Sequence, residues 1–329
     1  MRGLILRALG EPENLTLATI DDPAPGPGEV LVALRAAAVN FPDLLTVRGE
    51  YQLRPPLPFV PGKEGAGVVE AVGEGVTQVA PGDRVMVQVE HGCFAEKALA
   101  PEHDCFPMPY GMAFDDAAAI GIAFQTAWFA LTDRAQVQKG ETVLVTGASG
   151  SVGIAAMQLA KEFGCTVIAG LTTASKADVA RENGADHVID LSRDNPRESV
   201  REQVHALTDG RGVDAAIEIV GGEVFTGALR SLAFRGRLVV VGFTSGEIAT
   251  VRTNYVLLKN IAVLGVDRAQ YREREPGWMR RAQDEIFSLC VAGRIRMPIQ
   301  ARYPLDRFIE AFDVIRDRNV RGKVVLTIG

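Results

Sequence analysis

Residues 141–153 read Glu141-Thr-Val-Leu-Val-Thr146-Gly147-Ala-Ser-Gly150-Ser-Val-Gly153, and a helix over Ile154–Phe163 is expected to open directly behind them. A buried strand, a glycine turn and a helix start in that order point backbone N–H groups at a pyrophosphate with no Cβ in the way. A glycine motif alone is weak evidence. Here the strand before it, the helix after it and further strand-helix units along the chain make it specific. Gly147, Ser149, Gly150, Ser151, Val152 and Gly153 are therefore the expected dinucleotide contacts, with an ordinary tight turn as the alternative.

Downstream, from about Phe124, Val- and Ile-rich runs alternate with amphipathic stretches at intervals of about 25 residues. That rhythm is the βαβ pattern of a doubly wound parallel sheet, a Rossmann domain. Its strand candidates are Thr142–Thr146, Thr166–Ala169, His187–Asp190, Asp214–Val220, Arg237–Gly242 and Ile261–Val266. They are almost wholly apolar, as strands with helices over both faces must be. Val220-Gly221-Gly222 and Gly242-Phe-Thr-Ser-Gly246 close two of them at the carboxyl edge, where the nicotinamide half of a dinucleotide lies, so Val220, Gly242, Phe243 and Val266 join the expected contacts. Upstream, residues 1–123 alternate short runs (Glu29–Leu34, Gly67–Val72, Arg84–Val87) with Pro-Gly turns, which predicts a β-rich region. Residues 272–295 and 306–318 are expected to be helical and Lys323–Ile328 a final strand.

A loop that binds NAD usually has a carboxylate about 20 residues on, for the adenosine ribose. In this chain the second strand ends in Gly170-Leu-Thr-Thr-Ala-Ser-Lys176, with no carboxylate before Asp178. Thr173 and Lys176 instead suit a 2′-phosphate, which favours NADPH. Lys176 could also be a solvated lysine at a helix start.

The 329 residues suggest two domains. A net charge of -6 without a basic tract argues against nucleic acid as a partner. No apolar run approaches the ~20 residues of a membrane helix, and residues 1–15 lack a signal-peptide pattern, so a soluble, unprocessed chain is expected. Four cysteines, Cys93, Cys105, Cys165 and Cys290, are too few for a disulfide framework, which points to the cytoplasm. The apolar last strand of the parallel sheet would be an exposed edge in a monomer, so a homodimer is expected.

Asn40-Phe-Pro-Asp43, Pro61-Gly-Lys-Glu-Gly-Ala-Gly67, Pro81-Gly-Asp-Arg-Val85, Gln125-Thr-Ala-Trp128, the 147–153 turn, Gly184-Ala-Asp-His-Val-Ile-Asp190, Asn254-Tyr-Val-Leu-Leu-Lys259 and Gly322-Lys-Val-Val-Leu326 run the length of the chain. Carrying them, the sequence resembles the medium-chain dehydrogenase/reductase superfamily and, within it, the zinc-free quinone oxidoreductase (zeta-crystallin-like) group. The resemblance implies an α/β protein with a GroES-like β-rich catalytic domain, 1–123 and 267–329, interrupted by a Rossmann NADPH-binding domain, 124–266, with the site in the cleft between them. Through the last motif, Lys323 joins the expected cofactor-binding residues. One departure is Leu191, where many relatives carry a tyrosine that helps hold the 2′-phosphate.

Zinc members of the superfamily place a Cys, a His and a further Cys at positions that align with Asn40, Lys63 and Ile122. None is a usual zinc ligand, and the four-cysteine structural lobe is missing too. His91-Gly-Cys93 and His103-Asp-Cys105 could in principle form a Cys2His2 set if each pair shared a strand face, although the family has no metal there. Without a metal, the chemistry that remains accessible is hydride addition to a conjugated electrophile, a quinone or an α,β-unsaturated carbonyl compound, whose developing oxyanion needs only hydrogen-bond donors. Asn40 and Tyr51 are the candidate catalytic residues, Tyr51 because it resembles a proton-donating tyrosine of related enoyl-thioester reductases. Asn40 could equally form a turn and Tyr51 simply pack. An enoyl-thioester reductase and an NADPH-binding protein without catalysis remain alternatives.

Overall fold

The computed structural model describes residues 1–329, the side chain of Ala174 alone lying outside the described set. Its strands are β1 (Arg2–Leu6), β2 (Leu15–Thr19), β3 (Glu29–Val39), β4 (Glu64–Val72), β5 (Arg84–Gln88), β6 (Lys97–Pro101), β7 (Cys105–Pro107), β8 (Thr142–Thr146), β9 (Thr166–Leu171), β10 (His187–Asp190), β11 (Val213–Glu218), β12 (Leu232–Val240), β13 (Ala262–Gly265), β14 (Ile299–Pro304) and β15 (Lys323–Thr327). The chain divides into two compact units, Met1–Ile122 with Tyr271–Gly329, and Ala123–Gln270.

The second unit holds a six-stranded sheet in the order β10-β9-β8-β11-β12-β13, every pair parallel. Numbered within the unit this is 3-2-1-4-5-6, and the winding reverses between β8 and β11. All five residues of β8 are buried, which accounts for the apolar Val143-Leu144-Val145 at its centre. Leu144, Ile168, Ala216 and Leu238 from four adjacent strands meet Val200, Val204 and Phe225 from the flanking helices in one core.

The first unit is built on β3, whose eleven residues pair antiparallel with β4, β6 and β15 in a sheet that continues to β14 on one side and β5 and β7 on the other. Its core joins Val32, Leu34 and Val87 to Phe94 and Phe312, the last two ring-packed edge to face at 6.0 Å. Together the two sheets make the α/β architecture of a GroES-like sheet and a parallel Rossmann sheet.

Three local differences from the sequence reading have physical causes. The helix behind the glycine turn opens at Ser151, not Ile154, because Gly150 is already the extended residue that caps it (φ −79°, ψ 165°). The expected helix 272–295 is two helices, Arg268–Arg274 and Pro276–Val291. Glu275 between them sits at φ −132°, ψ 53°, out of the α region, which the following Pro276 disfavours. A helix Phe41–Arg48 stands in the region expected to be strands and turns, with a proline in its first turn where no N–H bond is lost. No helix among the described residues is long and apolar enough to cross a membrane.

Candidate active site

The turn after β8 is held to its own sheet: the Ala148 N–H donates to the Gly170 carbonyl at 3.2 Å, and the Gly150 N–H to the Gly147 carbonyl at 3.1 Å. Gly147 adopts φ +61°, a left-handed conformation that side chains resist. A Cβ on Gly153 would lie 2.5 Å from the Gly147 oxygen and 2.7 Å from Ala148 Cα, so only glycine lets the helix Ser151–Glu162 start this close to the turn. Gly150 caps that helix with no side-chain hydrogen bond, and Ser149, Gly150, Ser151 and Val152 are half-buried while the helix behind them is buried. The first N–H groups of a helix capped in this way are free to receive an anion.

Across the point of reversal, the end of β11 is pinned by Glu218, a residue the sequence reading passed over. Its carboxylate is fully buried and accepts from the Thr146 hydroxyl at 3.1 Å and from the N–H groups of Val220 at 2.9 Å and Gly221 at 3.0 Å. Thr146 in turn accepts from the Ile219 N–H at 2.9 Å, closing a loop between β8 and β11. Burial pushes the Glu218 carboxyl up, against the pull of those donors. A glutamate inside an apolar run was the available signal. The segment after β12 is stapled over this edge, Ser245 N–H to the Val220 carbonyl at 2.8 Å and Gly222 N–H to the Glu247 carbonyl at 3.1 Å. Val220, Gly242, Phe243 and Val266 thus follow the carboxyl ends of β11, β12 and β13, the same edge that carries the glycine turn; Phe243 is 39% exposed.

Thr173 and Lys176 follow β9 on that edge. Thr173 is exposed, but Lys176 is only 7% exposed, which removes the alternative of a solvated lysine. Leu191 packs over Gly170 beside them.

In the other unit a buried polar group surrounds Glu64. Lys323 Nζ lies 2.7 Å from Glu64 Oε1 and donates to Asn40 Oδ1 at 2.6 Å, with 1% of Lys323 and none of Glu64 exposed. Asn40 Nδ2 donates to Glu64 Oε1 at 3.0 Å and to the Ala38 carbonyl at 3.3 Å; the Ile122 N–H donates to Glu64 Oε2 at 2.7 Å. Ile122 comes that close because Gly121 has no Cβ, which would stand 2.9 Å from Glu64 Oε2. Two of the expected site residues, Asn40 and Lys323, meet in this group. Both amide hydrogens of Asn40 are used inside the protein, on Glu64 and the Ala38 carbonyl. Lys323, of all the expected cofactor contacts, is the one outside the parallel-sheet unit, and its ammonium is engaged by Glu64 and Asn40.

Tyr51 follows the helix Phe41–Arg48, and the Lys63 ammonium sits 4.4 Å from its ring centroid. Lys63 is 4% exposed and donates to the Glu90 carbonyl at 3.0 Å. Asp43, fully buried, accepts the Asn40 N–H at 2.8 Å through Oδ2, and Oδ1 has no hydrogen-bond partner. Burial pushes its carboxyl up to about 6, against Lys63 and the Asn40 N–H. His91 stacks edge to face on Phe59 at 5.6 Å, and burial followed by Lys63 holds its pKa down.

The positions aligned with zinc ligands therefore present a committed amide, an ammonium and a backbone N–H, a donor set that does not fit zinc. Among the described residues no three His, Cys, Asp or Glu side chains gather as a metal site. His103 and Cys105 do not share a strand face because His103 lies inside a 3-10 turn, Glu102–Asp104, and Cys105 begins β7. Cys93 is fully buried, and burial raises its thiol well above the usual range.

Comparison with known proteins adds to this geometry. Residues 26–110 match the family model described as alcohol dehydrogenase GroES-like domain, and 151–284 the one described as zinc-binding dehydrogenase. The quinone oxidoreductase-like protein 2 homolog of Nematostella vectensis is 38% identical over 304 residues, 92% of this chain and 82% of the relative. The structure of mycobacterial Rv1454c complexed with NADPH superposes with a TM-score of 0.93 at 32% identity, over 99% of this chain and 100% of that one. Escherichia coli quinone oxidoreductase complexed with NADPH gives 0.91 at 27% identity, over 99% and 100%.

Proposed function

The chain belongs to the medium-chain dehydrogenase/reductase superfamily, in its quinone oxidoreductase-like group, and from that membership we propose that it is an NADPH-dependent, metal-independent reductase of quinones or α,β-unsaturated carbonyl compounds. The observation that carries the reading is the glycine turn 147–153 at the reversal of the six-stranded parallel sheet. NADPH supplies a hydride when bound. The N–H groups of Ser151, Val152 and Gly153 would meet its pyrophosphate, Thr173 and Lys176 its 2′-phosphate, and Val220, Gly242, Phe243 and Val266 its nicotinamide half. The NADPH in the two structural relatives supports the same choice of nucleotide.

Metal independence is supported by the residues at 40, 63 and 122, which leave hydrogen-bond donors and cations where relatives would need thiolate and imidazole. Tyr51 is the proton donor in this reading. The Lys63 ammonium over its ring stabilises the phenolate that remains after the hydroxyl proton passes to the carbon or oxygen made electron-rich by reduction. Asn40 and Lys323 keep Glu64 and the helix Phe41–Arg48 in place. The cytoplasm is the compartment this reading prefers, given the thiols of Cys93, Cys105 and Cys165, which are free. A homodimer is part of the proposal too: among the described residues β13 pairs with β12 alone, and Leu257 and Leu258 on the helix before it are each 75% exposed.

The test is NADPH oxidation with benzoquinone, a simple enone and crotonyl-CoA, by the wild type and Tyr51→Phe. The enone rate should fall by roughly 100-fold or more in the variant, and the quinone rate much less, since water can protonate a quinol oxygen. Turnover of crotonyl-CoA alone would replace the substrate class with an enoyl thioester. Tight NADPH binding with no turnover of any of the three would leave a binding protein.

A further inference from the structure

A basic hollow of about 370 Å³ opens on the parallel-sheet unit, lined among others by Arg201, His205, Arg211, Arg230, Tyr255 and Lys259. It lies at the amino-terminal edge of the sheet. Arg211 stands two residues before β11, Arg230 ends the helix that leads to β12, and Lys259 ends the helix Thr253–Lys259 that leads to β13. The glycine turn is at the other edge, with the length of β11, about 20 Å, between the two.

The charges in this hollow are unbalanced. Arg230 is paired with Glu198 at 2.9 Å and Arg211 with Asp214 at 2.6 Å. Lys259 donates only to backbone, the Arg230 and Leu232 carbonyls at 2.9 and 3.1 Å, and Arg201 makes no ion pair among the described residues. Arg201, Arg211, Arg230 and Lys259 against two carboxylates leave an excess of two positive charges. Two donors or acceptors are also stranded: His205 Nε2 and Arg230 Nε are buried with no hydrogen-bond partner. A native fold rarely leaves such atoms unsatisfied unless something else meets them. The cost of the crowding is visible on the two softer groups. Burial, then Arg201 and Arg230, lowers the Lys259 pKa, and burial, then Arg201 and Lys259, lowers that of His205.

We propose that this hollow binds a small organic phosphate, its oxygens held by Arg201, Arg230 and His205 and its apolar part laid against Tyr255. A phosphate monoester matches the two excess charges near pH 7 and carries three terminal oxygens, where a carboxylate has one charge and two. The volume is in the range of small-molecule sites and larger than a bare phosphate needs. Tyr255 and Phe234, the latter 73% exposed, supply the aromatic wall for the remainder of the ligand. The proposal does not depend on the reductase reading, because none of these residues is among the expected nucleotide contacts.

Isothermal titration of NADPH-saturated protein tests it, with phenyl phosphate, inorganic phosphate and benzoate as probes. Saturation with NADPH keeps the probes out of the nucleotide site. Phenyl phosphate should bind at least tenfold more tightly than either other probe, and Arg201→Ala and His205→Leu should each weaken it by roughly tenfold while NADPH affinity stays at the wild-type value. The retained NADPH affinity shows that each variant is folded. Phenyl phosphate binding no better than the other two probes, or equally well in wild type and both variants, would overturn the site.

Discussion

Replacing Lys323 with methionine removes an ammonium that is 1% exposed and stands 2.7 Å from Glu64 Oε1. Glu64, with no exposure of its own, keeps the hydrogen bonds from Asn40 and Ile122 but loses the cation that balances its charge. Breaking one side of a buried pair costs about 3–5 kcal/mol, a third or more of the stability of many domains. Urea denaturation read by tryptophan fluorescence should show that loss as a lower midpoint at unchanged slope. Adding Glu64→Gln removes the stranded charge, so the double variant should recover most of the loss, with a coupling of about 2 kcal/mol or more between the two positions. NADPH affinity should change by less than about tenfold, since the ammonium is already engaged within its own unit. A Lys323→Met variant with an unchanged urea midpoint and a tenfold weaker grip on NADPH would refute the ion-pair assignment and return Lys323 to the cofactor.

Gly153→Val should raise the NADPH Kd by roughly tenfold and destabilise the fold by about 1–3 kcal/mol, because its Cβ meets backbone at 2.5 and 2.7 Å; a fluorescence titration and a urea melt check both. Asp43 gives a pH signature. Its folded pKa of about 6 lies above the unfolded carboxylate value of about 3.9, so the folded state holds the extra proton in that window and stability falls by up to about 3 kcal/mol as pH rises from 4 to 6. Asp43→Asn should abolish that component, and urea midpoints that track the wild type across the window would contradict it. Lys176→Met should bring the NADPH and NADH dissociation constants, expected to differ at least tenfold in the wild type, to within a few-fold of each other.

What the sequence made legible was local and periodic. The β8 run, the glycine turn and the strands of the parallel sheet announce themselves within a few residues, and the βαβ rhythm orders them. Long-range polar contacts were not legible. Lys323 reaches Asn40 across 283 positions, and neither residue type says that it will be buried against the other. The same holds for Thr146 and Glu218, 72 positions apart, although a glutamate within Val213–Glu218 was a warning. The helix Phe41–Arg48 hid behind a proline that reads as a turn but is harmless in a first turn. The break at Glu275 is signalled in the sequence by Pro276, which disfavours the α region for the residue before it.

In the proposed reaction NADPH hydride reaches an electrophilic carbon without help from a metal. Mass spectrometry of the product formed from a simple enone by chelator-treated protein and NADPH deuterated at C4 of the nicotinamide decides whether it does. The expected product is a saturated ketone carrying deuterium at the β-carbon, formed at a rate unchanged by the chelator. No deuterated product, or a product that forms only when zinc is restored, would contradict it.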